Sequence, residues 1–174
     1  DNTSIWFVTW GDHATSLLYP EGTTAGVLME DKGEEPVIDA ANGGTYYAKV
    51  AMYTWHIGLT VKDWRYNARI ANIDVSDMLA GTVDLWALMR DAYYRLRSRR
   101  RDGMSSRIAI YMNTDVMQVL DAQSTDRALT AARNNTVSLG HAQVEGKEVR
   151  TYRGIPIRET DALLNTEAAL PATP

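Results

Sequence analysis

The sequence predicts an α+β fold, and three observations lead to this prediction. Up to about Asp74, the segments rich in β-branched and aromatic residues follow the two-residue period of β-strands. After Ser76, apolar residues recur every three or four positions, which is the period of an amphipathic helix. Clusters of Gly, Asn and Pro separate these segments where turns are expected. We therefore expect strands to dominate residues 1–73 and the two main helices to follow Ser76.

The first strand is predicted over Ile5–Trp10, an apolar and aromatic run that ends at Gly11. The next segment, Tyr19–Gly33, contains one proline, several glycines and several acids. Such a composition favours an extended, partly exposed loop over a regular element.

A second block of strands is predicted after the Asn42-Gly43-Gly44 turn signal. Tyr46–Ile57 has high strand propensity, and Leu59–Ile73 is expected to continue as a strand. One face of that last strand should carry Trp64, Tyr66, Ala68 and Ile70.

The helical half is predicted to begin with a helix over Ser76–Ser98, capped by Ser76. A short strand, Arg107–Met112, should separate it from a second helix over Thr114–Gln123. Val144–Val149 reads as a hairpin. Gly154–Ile157 ends the regular structure, and Pro156 within it suits an edge strand.

Composition excludes several classes of protein. The 174 residues suggest one domain or two small lobes, with 45% hydrophobic and 23% charged residues, as in ordinary globular chains. No apolar run approaches 18 residues, so we expect no membrane partner. The absence of cysteine excludes disulfides, thiolate catalysis and cysteine-based zinc sites.

The net charge of −4 is unevenly distributed along the chain. Residues 1–81 hold 5 basic and 11 acidic side chains, a balance of −6, whereas residues 82–174 hold 13 and 11, a balance of +2. The acidic excess centres on Glu30, Asp31, Glu34, Glu35 and Asp39. The basic excess centres on Arg95, Arg97, Arg99, Arg100 and Arg101. Such opposite patches can form an interface between copies of the chain, or they can be two solvated loops that never meet.

Catalytic and cofactor signatures are missing from the sequence. His13, His56 and His141 stand far apart and form no HxxxH or HExxH pair. There is no GxGxxG, no P-loop, no GxSxG turn and no calcium-loop pattern. We therefore predict no enzymatic activity, no metal site and no cofactor.

The arginine run is the best argument for an alternative function, sequence-independent nucleic-acid binding. Five arginines within Arg95–Arg101 could contact phosphates, and Tyr93 and Tyr94 could stack on bases. The pI of about 5.4 argues against it, because nucleic-acid-binding domains are usually strongly basic.

Three segments resemble a known family. They are SIWFVTWG at Ser4–Gly11, with YPEG shortly after it, WHIGLTVKDWRYNARIANID at Trp55–Asp74, and YRGIPIRETDALLNTEA at Tyr152–Ala168. In order and spacing they resemble the C-terminal part of the major capsid protein of short-tailed bacteriophages of the epsilon-fifteen-like group.

The resemblance implies a partial Hong Kong 97-type capsid fold. Residues 1–74 would correspond to the peripheral-domain sheet and extended loop, 75–153 to an axial-like domain, and 154–174 to a return strand and tail. The chain opens directly at the SIWFVTWG strand, so the resemblance leads us to expect a fragment or one portion of a longer subunit, without the N-terminal arm, spine helix and extended loop that would precede this strand.

The resemblance also implies a function and a set of partners. The chain would be a structural subunit of an icosahedral shell, assembling with copies of itself into pentamers and hexamers around double-stranded DNA. Scaffold, portal and cement proteins are further expected partners, and packaged DNA would be bound only non-specifically. Assembly would take place in the cytoplasm of the bacterial host, and the mature location would be the virion.

Overall fold

The computed structural model describes residues 1–96, 107–130, 139–144 and 146–171 and confirms the α+β class. Contacts divide the chain into two compact units, Leu17–Thr60 and the combination of Asp1–Ser16 with Val61–Pro174. The domain boundaries predicted at residues 74 and 153 stay predictions.

Ten strands and three α-helices follow one another in the described residues. In chain order they are β1 (Asn2–Trp10), β2 (Thr15–Leu18), β3 (Val27–Ile38), β4 (Thr45–Trp55), β5 (Gly58–Val61), β6 (Ala68–Asp74), α1 (Val75–Leu79), α2 (Leu85–Arg95), β7 (Arg107–Met112), α3 (Thr114–Thr130), β8 (Gly140–Val144), β9 (Lys147–Tyr152) and β10 (Ile155–Glu159).

The sheet of the larger unit is organised around β1. Its N-terminal part pairs antiparallel with β6, and its C-terminal part pairs antiparallel with β7. From β2 the strand order continues through β1, β7, β10 and β9 to β8. Strand β10 runs parallel to β7 and antiparallel to β9. The predicted strands Ile5–Trp10 and Arg107–Met112 and the hairpin at Val144–Val149 are therefore confirmed.

The first predicted helix is wrong in its extent. The segment forms two helices, α1 and α2, because Gly81 adopts a left-handed conformation with φ of 76° just after α1 ends. Asp74, and not Ser76, caps α1, since its Oδ1 accepts a hydrogen bond from the Ser76 amide at 2.8 Å. Asp84 caps α2 by accepting from the Ala87 amide at 3.1 Å.

The second predicted helix is confirmed and is longer than expected. Asn113 Oδ1 accepts a hydrogen bond from the Asp115 amide at 3.0 Å and so caps α3. The helix continues past the predicted end at Gln123 to Thr130.

Two further predictions in the strand-rich half are wrong in part. Val27–Gly33 was expected to be loop, but it belongs to β3, because pairing with β4 supplies its backbone hydrogen bonds. The predicted strand Leu59–Ile73 is interrupted at Trp64–Tyr66 by a short 3₁₀-helix that Asp63 caps. Trp64 is 76% exposed, so it does not share a strand face with Ala68 and Ile70.

Pro156 does not lie in an edge strand, since β10 has a neighbour on each side. Its register with the two neighbours explains how a proline is tolerated there. Ile155 and Pro156 pair with β9, whereas pairing with β7 begins one residue later, at Ile157. The missing amide of Pro156 therefore falls at the start of the strand, before the ladder with β7.

The hydrophobic core lies in the larger unit and joins its sheet to its helices. Phe7 and Ile5 on β1 are fully buried. Helices α2 and α3 contribute residues at helical spacing, and the neighbouring strands contribute alternate residues. The fully buried members are Ile5, Phe7, Met78, Leu85, Met89, Leu96, Ile110, Met112, Val116 and Leu120.

The segment after β10, residues 160–171 (the C-terminal segment), is held against this unit by side-chain hydrogen bonds. Asn113 Nδ2 donates to the Leu163 carbonyl at 2.6 Å. Asn72 both donates to the Leu170 carbonyl and accepts from its amide, each at 2.8 Å. Glu167 accepts from Ser4 Oγ at 2.9 Å and from Arg69 at 2.8 Å. Strands β1 and β6 are thereby joined to the C-terminal segment.

Replacing Phe7 with alanine should lower the free energy of unfolding by about 3–5 kcal/mol, because it removes a fully buried ring and leaves a cavity. Urea unfolding of the unassembled subunit measures the change. Tyr47→Ala is the matched control, since that ring is 75% exposed and its loss should change stability by less than about 0.5 kcal/mol. Equal losses for the two variants would contradict the assignment of β1 to the core.

Candidate functional site

Strands β3 and β4 form a long antiparallel ribbon. Pairing runs from Val27 opposite Trp55 to Ile38 opposite Thr45. The predicted turn after β3 is confirmed, because the Gly43 amide donates to the Asp39 carbonyl at 2.9 Å. The register shifts between Asp31 and Gly33, which makes Lys32 the extra residue of a β-bulge.

The register assigns the residues of the ribbon to two faces. Directly opposed residues point to the same side, and successive residues along a strand point to opposite sides. The first face carries Val27, Met29, Asp31, Glu34, Pro36, Ile38, Thr45, Tyr47, Lys49, Ala51, Tyr53 and Trp55. The second face carries Leu28, Glu30, Glu35, Val37, Tyr46, Ala48, Val50, Met52 and Thr54.

No residue of the unit Leu17–Thr60 is buried. The most exposed apolar side chains lie on the first face, where Tyr47 is 75%, Ile38 73% and Tyr53 66% exposed. The second face also exposes large side chains, among them Leu28 at 59% and Tyr46 at 54%. A contiguous exposed apolar surface of this kind marks an interaction site.

The four acids predicted to form an interface all lie on β3 and are exposed. Glu30 forms an ion pair with Lys32 at 2.8 Å, and Asp31 Oδ1 accepts from the Gly33 amide at 2.9 Å inside the bulge. Glu34 stands opposite Lys49, and Glu35 stands opposite Ala48. The acids therefore share one strand but divide between its two faces, Asp31 and Glu34 on the first and Glu30 and Glu35 on the second.

Of the five arginines predicted to face these acids, only Arg95 lies in the described residues. It is exposed in the last turn of α2, where a cation suits the helix dipole. Arg97, Arg99, Arg100 and Arg101 lie outside the described residues. The contact predicted between acids and arginines of two copies therefore stays a prediction.

A cationic and aromatic cluster anchors the end of α2 from which the arginine run continues. The Arg153 guanidinium lies 5.1 Å from the ring centre of Tyr93, 5.5 Å from that of Tyr94 and 5.7 Å from that of Tyr152. Its hydrogen bond to the Tyr94 hydroxyl raises the pKa of Arg153, and burial raises the pKa of Tyr152. The β9–β10 turn is thereby fastened to the helix.

Sequence reasoning missed Arg153, although one signal was available. Arg153 and Gly154 both have positive φ, of 50° and 78°, in a two-residue hairpin turn between Tyr152 and Ile155. An x-Gly pair between two strands is typical of such a turn. Arginine is unusual at the left-handed position, so its aromatic contacts offset the backbone cost.

Arg153→Ala should destabilise the protein by about 1 kcal/mol, because it loses the ring contacts and keeps the strained φ. Arg153→Gly should be nearly neutral, since relief of the left-handed strain offsets the same loss. Urea unfolding of the two variants beside the parent chain measures the difference. If the glycine variant is as unstable as the alanine variant, the backbone at this position is not strained.

A groove in the larger unit lies between β6 and α2, with a volume of about 230 Å³. Its floor is apolar, and three charged side chains line its rim. The lining residues are Ala68, Arg69, Ile70, Leu88, Asp91, Ala92 and Arg95. Arg69 stacks over the ring of Trp6 at 4.8 Å and is paired with Glu167. Arg95, on the opposite element, makes no ion pair with any described residue.

Among the described residues, no three His, Asp or Glu side chains come close enough to hold a metal ion. His13 and His56 are exposed, and His141 Nδ1 lies 3.2 Å from Glu148 Oε1. None of the helices described combines the length and the apolar character that crossing a membrane requires.

The amides of β3 and β4 should exchange with deuterium at least about a hundredfold faster than those of β1 in the dilute, unassembled subunit. The reason is that an isolated two-stranded ribbon without buried side chains is marginally stable, whereas β1 lies in the core. Hydrogen exchange followed by mass spectrometry resolves the two segments. Equal protection would mean that the ribbon is stable without a partner.

Comparison with known proteins gives the family. No curated protein matches the chain. A family model described as major capsid protein GP7 matches residues 1–171, which is nearly the whole chain. This match agrees with the large apolar surface that the ribbon leaves open to a partner. The chain therefore belongs to the major capsid protein GP7 family.

Proposed function

We propose that this structural capsid subunit builds the icosahedral shell of a short-tailed bacteriophage, assembling as pentamers and hexamers around double-stranded DNA. The proposal rests mainly on the ribbon, because no residue of the unit that contains it is buried. Apolar side chains that are 50–75% exposed in a monomer gain several kcal/mol together when neighbours cover them. Because the chain belongs to a capsid protein family, these neighbours would be copies of the same chain.

The proposal includes the Hong Kong 97-type fold and its domain division. Residues 1–74 would then belong to the peripheral sheet and extended loop, 75–153 to the axial-like domain, and 154–174 to the return strand and tail. The length and exposure of the ribbon agree with an extended loop that reaches a neighbouring subunit. Rings of subunits need two different complementary surfaces on each copy, since their contacts are heterologous.

The partners follow from the same proposal. Scaffold and portal proteins would act during assembly in the host cytoplasm, and a cement protein would act on the finished shell of the virion. Packaged DNA would be bound only weakly, because the chain carries a net charge of −4. No cofactor and no catalytic residue form part of the proposal.

Electron microscopy of the full-length protein, expressed alone and with its scaffold, tests the proposed function directly. Closed shells of uniform diameter with five- and six-fold clusters are the expected result. A soluble monomer that never assembles under either condition would contradict it.

The acidic ribbon and the arginine run give a charge-reversal prediction. Replacing Glu34 and Glu35 with lysine should hinder assembly, and adding Arg99→Glu and Arg100→Glu should partly restore it. Each exposed pair contributes only about 0–1 kcal/mol, but every copy in the shell repeats it. Light scattering measures assembly, and added salt should weaken the effect. If the combined variant assembles no better than the Glu34/Glu35 variant, the two patches do not meet.

Nucleic-acid binding through Arg95–Arg101 is the alternative function, supported by the density of arginine beside Tyr93 and Tyr94. The triple variant Arg99→Ala, Arg100→Ala, Arg101→Ala distinguishes subunit contact from nucleic-acid binding. If the arginine run forms contacts between subunits, the variant should assemble poorly and keep the weak DNA affinity of the parent. Tight DNA binding by the parent, with a steep salt dependence that the variant flattens, would favour the alternative.

A further inference from the structure

The groove between β6 and α2 is suited in size and lining to bind one large apolar side chain. Ala68, Ile70, Leu88 and Ala92 give it an apolar floor. The volume of about 230 Å³ is below the range of small-molecule sites, which begins at roughly 300 Å³. The rim offers a cation for an acidic neighbour, because Arg95 has no ion-pair partner among the described residues, whereas Arg69 is already held by Glu167.

The first face of the ribbon matches this chemistry. Its aromatic side chains are strongly exposed, Tyr47 at 75% and Tyr53 at 66%, and Tyr53 stands opposite Met29 near the end of the ribbon where Val27 pairs with Trp55. Asp31 is the next residue of β3 on the same face as Met29, a step of about 7 Å along the strand. An aromatic ring and a carboxylate therefore stand side by side on the ribbon, as the apolar floor and Arg95 do in the groove.

We propose that the first face of the ribbon docks into the β6–α2 groove of a second copy of this chain. Tyr53 fills the apolar floor over Leu88, and Asp31 lies against Arg95 at the rim. This inference rests on the proposed function and names the surface that receives the ribbon. The second copy is the occupant because the charges are complementary and because the family is one of shell-forming proteins.

The choice of face follows from the distribution of charge and apolar surface. On the second face, Glu30 is already paired with Lys32, and the apolar side chains are smaller or less exposed. The first face combines Tyr47, Tyr53 and Trp55 with Asp31, and no ion pair of Asp31 occurs within the described residues. Docking of the first face thus buries more apolar surface and satisfies Arg95.

Cysteine cross-linking tests the inference cleanly, because the chain has no cysteine of its own. The test variant carries Tyr53→Cys and Leu88→Cys in the full-length protein. The matched control carries Met52→Cys and Leu88→Cys, since Met52 is the adjacent residue on the opposite face. Both are assembled under reducing conditions, then oxidised or treated with a short thiol cross-linker, and analysed on denaturing gels.

The expected result is a ladder of covalently linked subunits in the test variant, at least about tenfold stronger than in the control. Cross-linking of the control instead, linkage within single chains, or no linkage in well-formed shells would each overturn the docking and leave the proposed function standing. Failure of the parent protein to form shells would overturn the proposed function itself.

A charge exchange provides a second measurement that does not depend on thiol geometry. Arg95→Asp should slow assembly, and combining it with Asp31→Arg should recover at least about half of the lost rate. Glu35→Arg, on the second face, is the control partner and should recover nothing. Equal recovery by the two partners would show that the effect is one of net charge, and the docking would be wrong.

Discussion

The pairing of β1 with both β6 and β7 is the interaction on which the larger unit depends. It brings together segments about 60 and 100 residues apart in the chain, Phe7 lying beside Ala68 on one side and Ile110 on the other. Without these ladders the apolar faces of α2 and α3 would have no sheet to cover. Because the contacts are so distant in sequence, loop-closure entropy opposes them, and burial of side chains such as Ile5 and Phe7 must offset that cost.

The C-terminal segment reinforces this arrangement at its margin. The irregular register between Thr3 and Ile5 leaves Asn72 in a left-handed conformation on β6, and the Asn72 side chain then binds the backbone of Leu170. Glu167 joins the start of β1 to β6 through Ser4 and Arg69. Of the three segments that resemble capsid proteins in sequence, those around β1 and β6 pair directly, and the C-terminal one contacts both through Glu167.

The ribbon is stabilised by backbone pairing and not by a core. Its backbone hydrogen bonds are made within the pair, but its side chains find no core of their own, so its apolar surface remains available to other molecules. Under the proposed docking, contact with a neighbouring subunit would stabilise the ribbon. The ribbon residues form a separate unit by their contacts, and the hydrophobic core lies entirely in the other unit. The groove between β6 and α2 belongs to the unit that holds the core.

The sequence alone determined the α+β class, the strands at Ile5–Trp10 and Arg107–Met112, and the Asn42–Gly44 turn, because these depend on local periodicity and turn chemistry. Its residue strings also identified a major capsid protein. The sequence also located the acids that the ribbon displays. Tertiary structure alone decided that Val27–Gly33 is a strand, that β10 is interior, and which acids share a face, since non-local pairing and a bulge at Lys32 set the register. The stacking of Arg153 on three tyrosines was likewise decided by packing, because no local pattern specifies which helix a hairpin turn will contact.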